Sequence, residues 1–110
     1  MTEGGMIGKT GELIAARFLQ SKKYTIIAQN FWTRLGEIDI IAEDGETLVF
    51  VEVKTRTENV LGNPYEAITR EKMIRCRRAC ELYVQQFPQG DRPFRIDAIS
   101  IILDIKTRNA

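Results

Sequence analysis

The sequence predicts a single mixed α/β domain with its elements in the order α-β-β-β-α-β. Three observations predict it. Glu37-Ile-Asp-Ile-Ile-Ala-Glu43 alternates acidic and apolar residues and leads through Asp44-Gly45 into the strand-like run Leu48-Val-Phe-Val-Glu-Val-Lys54, which marks a β-hairpin. Met73, Cys76, Cys80, Tyr83 and Phe87 recur at intervals of 3, 4, 3 and 4 residues, the spacing of one helix face. A last apolar run, Phe94 to Leu103, follows that helix. It is placed to pair in parallel with the strand before the helix, through a right-handed crossover.

The remaining elements follow in order. A first helix is expected from about Thr10 to Lys22, with Thr10 as N-cap and Leu13, Ile14, Ala16 and Phe18 at helical spacings. Tyr24 to Arg34 is rich in β-formers and stops before Gly36, so it reads as a strand. Asn63-Pro64 marks a turn or helix start, and the long helix is expected from roughly Glu66 to Phe87. Its other faces carry Arg70, Lys72, Arg75, Arg77 and Arg78.

Composition sets the class. With 110 residues, 44% hydrophobic and 28% charged, the chain suits one ordinary globular domain with a modest core. No apolar run reaches the roughly 18 residues of a membrane span, and the N-terminus lacks the basic-then-apolar pattern of a secretory signal. Cys76 and Cys80, four apart in a helix, suit two small buried thiols better than a disulfide. A reducing, cytoplasmic location is the expectation.

The chain contains no histidine. That removes Ser–His and Cys–His nucleophile pairs, imidazole bases and His-ligated zinc. Any catalysis must rest on carboxylates and lysines, with a hard metal ion. Net charge is only +1, but its distribution is uneven. Residues 1–34 hold five bases and two acids, residues 35–53 six acids and no base, and residues 54–78 seven bases and three acids. An acidic segment between basic ones is either solvated surface or a metal-binding centre ringed by phosphate-binding cations.

Parity within the hairpin gathers the acids. A two-residue Asp44-Gly45 turn sets Glu43 opposite Glu46, Asp39 opposite Phe50 and Glu37 opposite Glu52. Glu37, Asp39, Glu52 and Lys54 then share one face, with Asp39 and Glu52 diagonal neighbours roughly 7–8 Å apart between backbones. The other face carries Ile38, Ile40, Ala42, Val49, Val51 and Val53, the expected main core face. Crowded carboxylates repel one another, and a cation resolves the conflict.

This set fits metal-dependent phosphodiester hydrolysis. Asp39 and Glu52 would hold Mg²⁺ or Mn²⁺, with the Val53 carbonyl as a third ligand and Glu12 adding a carboxylate. Lys54 would stabilise charge developing at the phosphate. Each residue taken alone also has an ordinary role. Glu12 suits a first helical turn, Arg95 and Asp97 make a same-face pair on the last strand, and Arg75, Arg77 and Arg78 suit a solvated helix face.

Gly8-x-x-Gly11-Glu12, Asn30-Phe31, Gly36-Glu-Ile-Asp-Ile-Ile41, Val49-Phe-Val-Glu-Val-Lys-Thr-Arg56, Gly62-x-Pro64, Glu66-Ala-Ile68, Lys72 and Arg95-Ile-Asp97 together resemble the YraN family of small bacterial proteins. The resemblance runs from about Gly8 to Ile102. That family in turn looks like the restriction-endonuclease-like PD-(D/E)XK nucleases, especially archaeal Holliday-junction resolvases. The resemblance implies a mixed central sheet flanked by helices, a helix-supplied Glu12, a metal-holding Asp39, and the Glu-x-Lys pair Glu52 and Lys54. Ile38 stands where that motif carries proline.

The expectation is a Mg²⁺-dependent endonuclease acting on DNA, on branched or damaged structures, with Arg34, Arg56, Arg70, Lys72, Arg75 and Arg78 meeting the nucleic acid. A homodimer is suggested by analogy with resolvases. The alternative is a non-catalytic nucleic-acid-binding module on the same fold.

Overall fold

The computed structural model describes residues 3–57 and 69–103. The element order is the expected one: α1 (Glu3–Ser21), β1 (Thr25–Thr33), β2 (Gly36–Asp44), β3 (Thr47–Thr57), α2 (Arg70–Gln86) and β4 (Phe94–Leu103). The strands form one mixed sheet in the order β1-β2-β3-β4, with the β1–β2 and β2–β3 pairs antiparallel and the β3–β4 pair parallel. This mixed α/β architecture is compatible with a nuclease-like fold. The Asn63-Pro64 turn and residues 66–68 of the expected long helix lie outside the described residues. No helix in the described residues is long and apolar enough to cross a membrane.

The helices cover opposite faces of the sheet, and each face supplies its own core. Ala15, Ala16 and Leu19 of α1 pack on Ile40, Ala42, Val49, Val51 and Val53. Cys76, Ala79, Cys80 and Tyr83 of α2 pack on Ile38, Ile41, Leu48 and Phe50. Strand alternation accounts for most of this division. Both cysteines are free and buried, as their helical spacing suggested.

Helix α1 departs from expectation at its start and in its buried face. It begins well before Thr10, whose hydroxyl donates 2.9 Å to the Met6 carbonyl within the helix instead of capping it. Leu13, Ile14 and Phe18 are exposed, whereas the small Ala15 and Ala16 are buried. The reason is close approach. A Cβ at Gly11 would overlap the side chain of Thr55, so α1 sits too near β3 for large residues at the contact. The helix ends with Lys23 in the left-handed region (φ 72°) and the Tyr24 N–H donating 3.0 Å to the Leu19 carbonyl.

Helix α2 starts at Arg70, later than the expected Glu66. The Thr69 hydroxyl caps it by accepting from the Lys72 N–H at 3.2 Å. Its core stripe is narrower than the sequence spacing suggests, since Met73 and Phe87 stay partly exposed.

The hairpin register differs from expectation by two residues. Asp44 pairs with Thr47, Ile41 with Phe50 and Ile40 with Val51. Gly45 and Glu46 therefore form the turn, with Gly45 at its first central position and φ of 60°. Glycine is favoured there because the first residue of a II′ turn needs positive φ. Asp39 is not opposite Phe50. A shift of two preserves every face while moving Asp39 level with Glu52.

Ile38 also departs from its expected face, packing with the α2 cluster instead of the α1 cluster. The cause lies next door on β1. Gln29 pairs with Ile40 and Phe31 with Ile38, while Asn30 between them has φ of 53°. A left-handed residue interrupts the pleat, and alternation reverses across it. Asp39 sits level with that interruption.

Candidate functional site

Asp39 lies where the sheet loses its regular pairing. The β2–β3 ladder ends at Ile40 and Val51. Beyond it, the Val53 N–H donates 2.7 Å to Oδ2 of Asp39. A carboxylate thus takes the place of a ladder acceptor, which satisfies a buried donor and fixes the Asp39 side chain.

Around this point lies a cavity of about 390 Å³. Its acidic walls come from Glu12 on α1, Glu37 and Asp39 on β2, and Glu52 on β3; Lys72, Arg75 and Cys76 of α2 face them. Both helices reach the cavity because the strands part there. Carboxylate oxygens of Glu12, Glu37 and Asp39 all lie within 4.8 Å of one another. Lys72 Nζ stands 3.8 Å from Glu52 Oε1.

Burial pushes the whole set of carboxyls upward, and the charge of Asp39 adds to this at Glu12, Glu37 and Glu52. Glu52 is raised to about 7, first by desolvation and then by the charge of Asp39, with Lys72 opposing. Asp39 is raised by its burial, against the lowering effects of the Val53 N–H and Lys72. Glu12 and Glu37 are raised by desolvation and by Asp39, and a hydrogen bond with Asn30 partly offsets this at Glu12. Carboxyls held above their ordinary range in this way are poised to trade protons for a cation. An all-oxygen donor set suits a hard divalent ion such as Mg²⁺ or Mn²⁺.

The structure brings Glu12, Asp39, Glu52 and Val53 to one cavity, together with Lys72 and Arg75. Lys54 is half-buried two residues along β3 and does not line that cavity. Arg34 is exposed in the β1–β2 turn beside Trp32, Gln85 and Gln86. Arg56 is half-buried near the end of β3. Arg70 faces a different groove, and Arg78 is exposed on α2.

The cavity also holds two residues that local spacing does not assign to the metal set. Glu37 is two residues from Asp39 on β2, but the alternation reverses at Ile38 between them, so parity alone does not bring it to the cluster. Lys72 meets Glu52 only through the packing of α2 on the sheet, which no local spacing encodes. The Arg95–Asp97 pair forms as expected, at 3.0 Å.

Comparison with known proteins identifies the family. Residues 11–101 match the family model described as "Uncharacterised protein family UPF0102". A UPF0102 protein of Symbiobacterium thermophilum is 45% identical over 95 residues, covering 86% of this chain and 80% of its own. A UPF0102 protein of Caldicellulosiruptor saccharolyticus is 41% identical over 91% of this chain and 85% of its own, and one of Clostridium botulinum is 41% identical over 94% and 85%. The chain belongs to the UPF0102 family, which is the YraN family of the sequence resemblance.

Proposed function

We propose that this UPF0102 protein is a divalent-metal-dependent endonuclease that hydrolyses phosphodiester bonds in branched or damaged DNA. One observation carries the reading: oxygens of Glu12, Glu37 and Asp39 converge within 4.8 Å in a cavity that Glu52, Lys72 and Arg75 also line. Carboxylates at that spacing, with Asp39 buried and Glu12 and Glu37 half-buried, are costly without a cation.

Glu12, Glu37 and Asp39 would hold the ion, with Glu52 alongside. When bound, it supplies Lewis acidity at a phosphoryl oxygen. The chain's own groups do the rest. The Val53 N–H keeps Asp39 oriented, and Lys72 balances Glu52 while adding positive charge where the phosphate would sit. Arg75, at the cavity wall, is placed to contact a neighbouring phosphate. Lys54 remains the motif lysine by sequence, and its share relative to Lys72 is open to direct test.

The test is cleavage of fluorescently labelled four-way, flap and nicked DNA with Mg²⁺ or Mn²⁺. Cleavage that Asp39→Asn abolishes while DNA binding persists supports the reading. No cleavage of any of these substrates, with DNA binding intact, leaves the non-catalytic binding module.

A further inference from the structure

A second, larger cavity of about 710 Å³ runs between α2 and β4. Its α2 residues are Arg70, Met73, Ile74, Arg77, Cys80 and Glu81. Arg70, Ile74, Arg77 and Glu81 project from the side of the helix away from Lys72 and Arg75, while Cys80 lies one turn from Cys76 at the core edge. The opposite wall includes Phe94, which is 54% exposed. An edge-to-face contact with Phe50, at 6.0 Å between centroids, holds the Phe94 ring while leaving much of it open.

The charges in this groove are unbalanced. Arg70 and Arg77 make no ion pair among the described residues, and they stand about 10 Å apart along the helix axis. Arg95, also at the wall, is engaged by Asp97 and Asp44. Glu81 is the one acid in the lining among the described residues. Open guanidiniums lining one groove with an exposed aromatic ring match the chemistry of unpaired nucleotides: a base for the ring, phosphates for the cations. A second copy of this chain fits poorly, because a two-fold contact here would set one net-positive groove against another.

We infer that the groove between α2 and β4 binds an unpaired stretch of nucleic acid, with a base stacked on Phe94 and phosphates at Arg70 and Arg77. The inference extends the nuclease reading, on which it rests for its purpose. The groove and the carboxylate cavity are both lined by α2, so a single strand in the groove is carried on the same helix that bears Lys72 and Arg75. The favoured substrates are therefore DNAs with a flap, gap or open arm beside a duplex.

The test is fluorescence anisotropy of the full chain with a labelled 12-mer oligodeoxynucleotide, single-stranded or duplex, in EDTA so that no cleavage intervenes. Phe94→Ala should weaken single-strand binding about tenfold, the effect of losing one base–aromatic stack, and change duplex binding less than twofold. Arg77→Gln, at an exposed position, should lower the salt dependence of single-strand affinity by about one phosphate contact. Three results would overturn the inference: no single-strand binding by the parent, unchanged affinity in both variants, or a dimer in sedimentation that Phe94→Ala dissolves. Metal-dependent cleavage is read separately. Its absence removes the hydrolytic reading and leaves the groove, whereas cleavage with unaltered single-strand binding in both variants does the reverse.

Discussion

The Asp39 carboxylate accepts a 2.7 Å hydrogen bond from the Val53 N–H just past the last β2–β3 ladder pair, Ile40 and Val51. The strands part there, and a side chain completes what the ladder leaves open. The same parting lets α1 and α2 both reach the cavity. The acids meet where the β2–β3 ladder stops.

The metal-free protein should lose stability as pH rises. Glu52 in the folded protein is raised to about 7 from an ordinary 4.5, and Glu12, Glu37 and Asp39 shift in the same direction. Between those values the folded state holds protons that the unfolded chain has released. This contribution is therefore complete below about pH 4.5 and is lost as pH rises through 7. Thermal melts in EDTA should show Tm falling by about 5–10 °C from pH 5 to pH 8. Saturating Mn²⁺ should raise Tm more at pH 8 than at pH 5, because fewer protons must then be displaced. A Tm that climbs with pH in EDTA would show that the carboxyls carry no such strain.

Lys72 should matter more than Lys54 for cleavage. Lys72 Nζ lies 3.8 Å from Glu52 Oε1 and lines the cavity, and Lys54 does not. Lys72→Ala should lower kcat by about 10²–10³, the usual cost of removing one preorganised cation or donor. Lys54→Ala should stay within about tenfold of the parent. Single-turnover rates on a labelled flap substrate measure both, and the reverse ranking would return the role to the motif lysine.

Gly11→Ala should reach the site from outside it. The added methyl overlaps Thr55, so α1 must lift from β3, at a cost of about 1–3 kcal/mol. Glu12, the next residue, should move away from Asp39, and Mn²⁺ affinity should fall several-fold. Adding Thr55→Ala removes the Oγ1 and Cγ2 overlaps and leaves only the Cβ, 2.8 Å away. It should restore part of both losses in a double-mutant cycle. Unchanged Mn²⁺ affinity in Gly11→Ala would show that Glu12 is not held by this contact.

Much of this arrangement was legible in the chain, for identifiable reasons. The order of elements follows from apolar spacing, and the shared face of Asp39 and Glu52 follows from strand parity. That parity survived a misplaced turn because the error was two residues, and only an odd error exchanges faces. What was hidden depends on tertiary context. Asn30 sits inside a run of β-formers, and only its positive φ reveals the break that turns Ile38 to the other core. Thr10 resembles an N-cap locally, yet the helix continues through it. The meeting of Lys72 with Glu52 depends on how α2 docks, a contact between residues 20 positions apart that no periodicity announces.

The central claim is that these carboxylates form one divalent-cation site, and calorimetric titration of Mn²⁺ into the metal-free protein at pH 7.5 tests it most directly. The account predicts saturable binding at the carboxylate cavity, lost in Asp39→Asn while circular dichroism shows the fold intact. Absence of binding by the parent protein, or equal binding by parent and Asp39→Asn, would contradict it.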